Sequence, residues 1–371
     1  MGSLPPRVTA PRELRARIDE RGLQMRAPRA VTRFATSLLL LTMFSAVPLA
    51  LTHTPAVAAG PVACDPTKGP CWKPGTASLP WQYQLQGTTP AGCLYASTNY
   101  VNVGIKAKSY TGVTNVAPKV FDIDIYQDPG CSGGVANIPV TNAVAAIHAA
   151  GGHAIGYINA GAWELWRADQ GEYVAFDNSC GGCLLGNTYF GYRDERWLSL
   201  NDTGSIKGTN PITHVLQTPA EFIRYELAKR MADARLAGFD AIEFDNVESY
   251  TNRNGFKTTA AQQLAFNQSI ANLAHSLGFT VGLKNDLGQA TDLQPYFDFA
   301  MSEQCFQYSE CNYPAPGLQA WPATYGKAVF NVEYKGKLSN FCPLANSTAY
   351  NFNSMMKTAD LYDTPWTPCR A

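Results

Sequence analysis

Short apolar runs alternate along this chain with longer stretches in which apolar residues recur at helical spacing. In the stretch Pro219–Ala237, for example, Leu227, Met231 and Leu236 recur at roughly that spacing, and Gly238 follows as a helix stop. The short runs have the length of buried strands. The predicted strands are Trp81–Leu85, Val120–Tyr126, Ala154–Asn159, Ala241–Asp245, Thr280–Lys284, Phe297–Ser302, Ala328–Glu333 and Leu361–Trp366, and the predicted helices are Asn142–Ala150, Pro219–Ala237, Ala260–Leu277 and Ser347–Lys357.

This alternation predicts an α/β fold in which helices cover a parallel sheet. About eight strands within residues 79–371 fit a (β/α)8 TIM barrel, a single catalytic domain, better than an open sheet. An open doubly wound sheet usually has a glycine-rich phosphate loop after its first strand, and the sequence has no GxGxxG or GxxxxGK[ST] run.

Residues 1–59 read as an export signal with an over-extended N-terminus. Several arginines precede an apolar stretch over residues 34–51, and Ala56-Val57-Ala58 is a typical cleavage pattern. Met25 is better placed than Met1 as the start of such a signal. A membrane anchor is the alternative, but Pro48 and the cleavage pattern disfavour it. We therefore expect a secreted, extracellular protein with no membrane association after cleavage.

All ten cysteines lie after this signal, and in an exported protein an even number predicts disulfides. Residues 60–78 form a leader rich in Pro, Gly and Cys. Cys180 and Cys183 have the spacing of a redox or zinc motif, but no βαβ unit or second ligand pair is evident beside them. A small loop disulfide is the better interpretation, and Cys305 and Cys311 are close enough to form another.

Composition narrows the possible partners. The chain has 29 Lys and Arg against 29 Asp and Glu, so it lacks the basic excess that nucleic-acid binding requires. Hydrophobic residues make up 46% and charged residues 16%, as in a well-buried globular enzyme. No histidine pair has the spacing of zinc ligands, so we expect no metal and no cofactor. We also expect a monomer.

Candidate chemistry lies where the predicted strands end, because barrel active sites form at the carboxyl ends of strands. A buried strand rarely carries acids without a reason, since an unpaired buried charge is costly. Two such carboxylates across the barrel mouth are the requirement for glycoside hydrolysis. The alternative is that the acids pair with Lys284 or Arg167 and only hold the barrel together. The acids concerned are Asp122 and Asp124, Glu243 and Asp245, Glu303, and Glu333.

Aromatic residues after the third predicted strand favour a carbohydrate ligand, because sugar rings stack on aromatic faces. We expect these residues in loops, and Trp166 is also a candidate for core packing. They are Trp163, Trp166, Tyr189, Tyr192 and Trp197.

In these strand-end motifs the chain resembles glycoside hydrolase family 114, the endo-α-1,4-polygalactosaminidases. The resemblance covers nearly the whole mature chain, although Arg193–Arg196 match the family pattern more loosely. It implies a (β/α)8 barrel that cleaves internal α-1,4 bonds of galactosamine polymers without a metal, with Asp245 and Glu303 as the catalytic pair. We assign Asp245 as nucleophile and Glu303 as general acid/base, and the reverse order stays open. The matching stretches are Trp81–Gly87, Asp122–Asp124, Tyr157–Gly161 with Glu164 and Trp166–Arg167, Gly238–Asn246, Gly282–Asn285, Glu303–Cys311 and Lys327–Tyr334.

The implied substrate is cationic near neutral pH, which gives a role to the additional acids. Asp124, Glu243, Glu248 or Glu333 would pair with its amines, whereas Lys284 and Asn285 suit hydroxyls or the tuning of a neighbouring carboxylate. A buried pair of Lys284 with Glu243 is the alternative for that lysine. The predicted substrate-binding residues are Asp124, Tyr157, Trp163, Arg167, Glu243, Asn246, Lys284, Asn285 and Glu333.

Two other functions compete with this one. Another TIM-barrel glycosidase of the chitinase-like class would carry DxxDxDxE, but Val247 stands where that motif needs its final Glu. A secreted, non-catalytic carbohydrate-binding barrel would keep the aromatics but usually lose one of the two carboxylates. Both carboxylates are present here.

Overall fold

The computed structural model describes residues 60–86, 101–127 and 138–371. The predicted signal peptide therefore lies outside the described residues, as do Cys93 and Cys131.

Eight parallel strands form the barrel and confirm the predicted fold. In the sheet they stand in the order β1-β2-β3-β9-β10-β11-β12-β13, and a ninth strand, β14, pairs antiparallel with β13. Side-chain bonds close the seam, since the indole of Trp81 donates to the Asn353 carbonyl at 2.8 Å and that of Trp366 to the Trp81 carbonyl at 2.8 Å. The described strands are β1 Trp81–Tyr83, β2 Val120–Asp124, β3 His153–Asn159, β4 Ala162–Glu164, β5 Leu185–Tyr189, β6 Tyr192–Leu198, β7 Gly208–Thr209, β8 Leu216–Gln217, β9 Ala241–Asp245, β10 Thr280–Lys284, β11 Phe299–Glu303, β12 Val329–Glu333, β13 Asn353–Lys357 and β14 Trp366–Pro368.

Helices cover the outside of this sheet, and their ends follow the expected signals. The longest, α3, starts at a capping box of Thr218 and Glu221 and ends at Gly238, whose φ of 95° suits glycine. No helix in the described ranges has the length and hydropathy needed to cross a bilayer. The helices are α1 Thr141–Ala149, α2 Gln170–Ser179, α3 Pro219–Ala237, α4 Ala260–Ser276, α5 Ala290–Leu293, α6 Ala320–Tyr325 and α7 Leu338–Ala345.

The prediction was wrong near the C-terminus. The helix expected over Ser347–Lys357 is replaced by strand β13, and the helix of this region, α7, lies before it. Of the strand expected over Leu361–Trp366, only Trp366 lies in a strand, the short antiparallel β14. Asn351 has a φ of 50°, which interrupts any helix through this segment. Burial in the barrel then decides the conformation of Met355 against its helical propensity.

The segment between β3 and α3 also differs from the prediction, because it forms a small antiparallel sheet, β4-β6-β5, where we expected loops. Trp163 lies on β4, Tyr189 on β5, and Tyr192 and Trp197 on β6, whereas Trp166 follows β4. Strands β7 and β8 form a separate two-stranded sheet. Four of the five aromatic residues therefore lie on strands of this inserted sheet and not in loops.

The barrel interior is filled by inward-facing side chains such as Phe299, Phe330 and Met355, and a larger apolar layer lies between the sheet and the helices. Packing inside the barrel is close enough to require a glycine in β10. A Cβ on Gly282 would lie 2.3 Å from the Phe299 ring. Inward side chains thus form a floor beneath the mouth.

The leader is bound at the opposite end of the barrel from the mouth. Trp72 stacks on His153, the first residue of β3, with ring centroids 4.1 Å apart, and its carbonyl accepts a hydrogen bond from Thr280, the first residue of β10. Lys73 forms an ion pair with buried Asp298 at 2.8 Å. The leader therefore connects strand ends at the amino-terminal face.

Four disulfides are present in the described part of the chain. The predicted pairs Cys180–Cys183 and Cys305–Cys311 are confirmed. Two others connect Cys64 with Cys71 and Cys342 with Cys369.

Candidate active site

Lys284, the last residue of β10, lies at the centre of an acidic cluster at the barrel mouth. Its Nζ lies 3.1 Å from Oε1 of Glu243, 3.1 Å from Oδ1 of Asp245 and 3.3 Å from Oε2 of Glu303. It also donates to the hydroxyl of Tyr83 at 3.0 Å. Lys284 is 3% exposed, and burial acts against its charge, but the carboxylates outweigh burial and raise its pKa well above the usual value. Lys284 therefore remains an ammonium ion throughout the neutral pH range.

Asp245 is a carboxylate of this cluster whose pKa its neighbours lower. Its Oδ1 contacts Lys284, and its Oδ2 accepts a hydrogen bond from the Tyr157 hydroxyl at 2.9 Å. Burial acts to raise the pKa of Asp245, but Lys284, the backbone N–H of Asn246 and the Tyr157 hydroxyl lower it below its usual value. The side chain is 20% exposed and so faces the mouth. A charged, accessible carboxylate is the form that a nucleophile requires.

Glu303, at the end of β11, faces the same space. Its Oε2 accepts a hydrogen bond from Nδ2 of Asn285 at 3.3 Å, and its Oε1 accepts one from the hydroxyl of Tyr334. Its backbone N–H donates to Oδ1 of Asn285 at 3.0 Å. The side chain is 28% exposed. Two neighbours thus fix the orientation of the carboxylate and leave one side open to the mouth.

Left-handed residues follow each of the three strands that carry this cluster. Asn246, Asn285 and Gln304 have φ values of 60°, 48° and 59°, a region that asparagine tolerates better than most residues. At the first of these turns the backbone is crowded, because a Cβ on Gly161 would lie 1.8 Å from the Asn246 carbonyl oxygen. The side chain of Asn246 donates to Oδ1 of Asn159 at 3.1 Å. The turns therefore direct the chain away immediately after the reactive side chains.

Asp122 and Glu243 form a carboxyl pair beneath Lys284. Both side chains are fully buried, and no other residue in the described ranges donates to either Asp122 oxygen or to Oε2 of Glu243. Burial and the neighbouring Glu243 raise the pKa of Asp122 well above its usual value, so Asp122 keeps a proton that it donates to Glu243. Glu243, predicted to bind substrate, thus lies below the mouth against Lys284, in the alternative arrangement foreseen for that lysine.

Arg167 holds a second set of acids. Its guanidinium forms a bidentate pair with Asp124 at 2.8 and 2.7 Å and contacts Glu164 at 2.7 and 3.1 Å. Burial opposes its charge, but Asp124 and Glu164 raise the pKa of Arg167 well above its usual value. Arg167 and Asp124 were both predicted to contact substrate, and the structure places them in a pair that neutralises their charges.

Two further predicted binding residues face the protein interior. The Glu333 carboxylate accepts hydrogen bonds from the backbone N–H groups of Phe306 at 3.0 Å and Gln307 at 3.2 Å, and burial raises its pKa to about 7. It thus supports the turn after β11. The indole of Trp163 donates to the Gln170 carbonyl at 3.1 Å, and its ring belongs to the apolar layer behind the sheet.

Of the predicted residues, the structure brings Asp245, Glu303, Lys284, Tyr157 and Asn285 into one hydrogen-bonded group, with Glu243 below it and Asn246 at its edge. Sequence reasoning missed two tyrosines of this group. Tyr83 ends β1 and Tyr334 directly follows β12. The strand-end rule applied to the acids would have found both.

Glu195 on β6 was also missed, whereas Tyr192 on the same strand was among the aromatic residues predicted to favour a carbohydrate ligand. Glu195 stands opposite Glu164 in the small sheet and is 8% exposed. Burial, followed by the charges of Glu164 and Asp245, raises its pKa to about 8. Burial and the charges of Glu195, Glu303 and Asp245 raise the pKa of Tyr192, which is 59% exposed. These two side chains thus lie within electrostatic reach of the strand-end carboxylates.

The geometry permits two-carboxylate chemistry on one sugar-sized ligand. Asp245 and Glu303 both contact the Lys284 ammonium, so the two contacting oxygens lie no more than about 6.4 Å apart, the sum of those distances. A pair of carboxylates at the carboxyl ends of the strands of a (β/α)8 barrel is the arrangement that glycoside hydrolysis requires.

Comparison with known proteins names the family. The model of glycoside-hydrolase family GH114 matches residues 63–371, and the chain belongs to this family. The resemblance predicted from sequence is confirmed.

One solved structure shares the fold, and a second aligns more weakly. The crystal structure of Aspergillus fumigatus Ega3 in complex with galactosamine aligns with a TM-score of 0.57 at 24% identity, over 80% of this chain and 97% of that one. The glycoside hydrolase domain of PelA from Pseudomonas aeruginosa aligns with a TM-score of 0.44 at 10% identity, over 77% and 96% of the two chains. A search of curated sequences found no match.

Proposed function

We propose that this protein is a secreted hydrolase that cleaves internal α-1,4 bonds of galactosamine-containing polysaccharide, with Asp245 as nucleophile and Glu303 as general acid/base. Family membership and the galactosamine bound by the similar Ega3 structure support the substrate class. The observation that carries the proposal is the shared contact of both carboxylates with Lys284 at the barrel mouth.

The reaction follows from the different surroundings of the two acids. Asp245, kept ionised by Lys284 and Tyr157, attacks the anomeric carbon, and Glu303 protonates the leaving glycosidic oxygen. Water then hydrolyses the glycosyl-enzyme while Glu303 accepts its proton. Retaining enzymes place their carboxyl groups about 5–5.5 Å apart and inverting enzymes about 6.5–9.5 Å apart. The limit of about 6.4 Å applies to one pair of oxygens, and it is our choice of Asp245 as nucleophile that implies retention.

The four disulfides support an oxidising, extracellular location after signal cleavage. The chitinase-like alternative is disfavoured because Val247, at the position of that motif's acid, is buried in the apolar layer. A monomer without metal, cofactor or nucleic-acid partner stays the prediction of the sequence.

The decisive experiment measures new reducing ends from α-1,4-galactosamine polymer with the wild type, Asp245→Asn and Glu303→Gln. We expect each substitution to lower turnover at least about a thousandfold, since each removes one of the two groups of the displacement. Glu172→Gln is the control, because Glu172 pairs with Lys229 outside the cluster and should leave turnover unchanged.

Near-normal turnover in either carboxylate variant would remove that residue from the mechanism. If the wild type binds the polymer but does not cleave it, the protein is a carbohydrate-binding protein instead. The anomeric configuration of the first product, followed by NMR, tests the nucleophile separately, because an inverted product excludes a covalent intermediate on Asp245.

A further inference from the structure

Glu195 is a mostly buried carboxyl group without a cation of its own. Within the described ranges, no Lys or Arg lies within ion-pair distance of it. The nearest cation with an electrostatic effect on it, Arg167, is already paired with Asp124 and Glu164. Lys284 is likewise occupied by the strand-end acids. Burying a carboxylate without a counter-ion is unfavourable, and the hydrogen bond with the Asn159 side chain gives this acid a polar neighbour but no counter-ion.

The backbone places Glu195 on the wall next to Asp245. The backbone N–H of Ala160, after β3, donates to the Asp245 carbonyl at 3.0 Å, and that of Leu198, at the end of β6, donates to the Gly161 carbonyl at 2.9 Å. The short strand β4, which pairs with β6, begins at Ala162, directly after Gly161. This connection fixes β6 beside the turn that carries Asp245.

Tyr192, at the start of the same strand, has an exposed aromatic ring. The charges of Glu195, Glu303 and Asp245 help to raise the pKa of its hydroxyl, so these three carboxyl groups lie within electrostatic reach of it. An aromatic face beside a carboxyl group provides one surface for the C–H face of a sugar and one acceptor for a polar substituent. The two side chains thus have complementary roles toward a single ring.

We propose that Glu195 receives the ammonium group of the galactosamine unit bound beside Asp245, and that it thereby selects de-acetylated over N-acetylated sugar. This inference rests on the proposed function. An ammonium supplies the counter-ion that the buried carboxyl lacks, and a charge-assisted hydrogen bond with it is stronger than a neutral one. An N-acetyl group is uncharged and larger, so it provides no compensation.

Binding should release a proton. Five side chains bear on Glu195: Glu164 from β4, Arg167 after β4, Asp245 from β9, Tyr192 from β6 and Asn159 from β3. Burial and the two carboxylates hold the pKa of Glu195 at about 8 against the opposing effects of Arg167 and of the hydrogen bond with Asn159. Glu195 is therefore largely protonated at pH 7 in the free protein, and a bound ammonium favours its ionised form.

The test is calorimetric titration with a short α-1,4-galactosamine oligosaccharide and its fully N-acetylated counterpart, at pH 7 in two buffers of different ionisation enthalpy. Glu195→Gln should weaken binding of the amine ligand about tenfold or more and change binding of the acetylated ligand less than about twofold. It should also abolish the proton release seen in the wild type. Asp194→Asn is the matched control, because this exposed acid precedes Glu195 on the same strand and should leave both affinities unchanged.

Glu195→Asp keeps the charge and should restore part of the lost affinity, which an effect on structure alone would not do. An equal loss for both ligands, no loss for either, or no proton release in the wild type overturns the proposal. If the wild type does not cleave polymer but still binds the amine ligand in a Glu195-dependent way, the hydrolase function is rejected. This inference then still holds. If Glu195→Gln does not fold, the proton count of the wild type and the affinity of Glu195→Asp decide.

Discussion

Replacing Lys284 by methionine removes the single cation shared by three carboxylates while keeping similar volume. In the wild type its Nζ lies 3.1 to 3.3 Å from Glu243, Asp245 and Glu303. Its raised pKa means that the stability it contributes is fully present below its unfolded value of 10.5 and is lost only as the pH rises through the higher folded value. The contribution is therefore complete at neutral pH.

The magnitude follows from burial of the partners. Removing one member of a buried ion pair costs about 3–5 kcal/mol. Glu243 is fully buried, whereas Asp245 and Glu303 retain some solvent, so we expect about 4 kcal/mol at pH 7.5.

The pH dependence has a definite sign. The lowered pKa of Asp245 contributes stability above its unfolded value of 3.8 and loses it as the pH falls through the folded value. Without Lys284 this contribution disappears, and the carboxyls can instead accept protons in acid. The loss should therefore shrink to about 2 kcal/mol at pH 4.5.

Urea unfolding of the wild type and Lys284→Met at both pH values measures the difference. Lys68→Met serves as control, because Lys68 forms an exposed pair with Asp65 and should cost less than about 1 kcal/mol at either pH. A loss at pH 7.5 no larger than that of the control would refute the reasoning, as would an equal loss at both pH values.

Two other predictions concern the surroundings of the reactive acids. Gly161→Ala would place a Cβ 1.8 Å from the Asn246 carbonyl oxygen, so we expect a loss of about 2–3 kcal/mol in thermal unfolding and reduced turnover; an unchanged melting temperature would show that the turn after β9 adapts. Tyr334→Phe removes the hydroxyl that donates to Glu303, and we expect kcat to fall about tenfold with KM unchanged, the effect of one hydrogen bond to a charged group. A change in KM alone would assign Tyr334 to substrate binding.

The sequence predicted those parts of the molecule that follow from strand position. Parallel strands of a barrel all end at the same face, so Asp245, Lys284 and Glu303 had to meet once their strands were identified. The same rule would have added Tyr83 and Tyr334. It says nothing about which acids already have partners within the fold, as Asp124 has in Arg167 and Glu333 has in backbone N–H groups.

Other features depended on tertiary contacts that periodicity does not report. Strand β13 carries two methionines, residues with good helical propensity, and only its place in the barrel makes it a strand. Glu195 lies within β6 and not at the end of a barrel strand, so its position beside Asp245 depends on how the inserted sheet folds back over the mouth. Spacing along the chain gives no sign of that return.

The leader looks in sequence like a linker that a shorter protein could discard. Yet Trp72 reaches both the first residue of β3 and the first residue of β10, while Lys73 neutralises Asp298 just before β11. A recombinant chain trimmed to begin at residue 79 would leave an aromatic face uncovered and a buried acid short of a cation. The folded enzyme therefore begins near residue 60, about twenty residues before the first barrel strand.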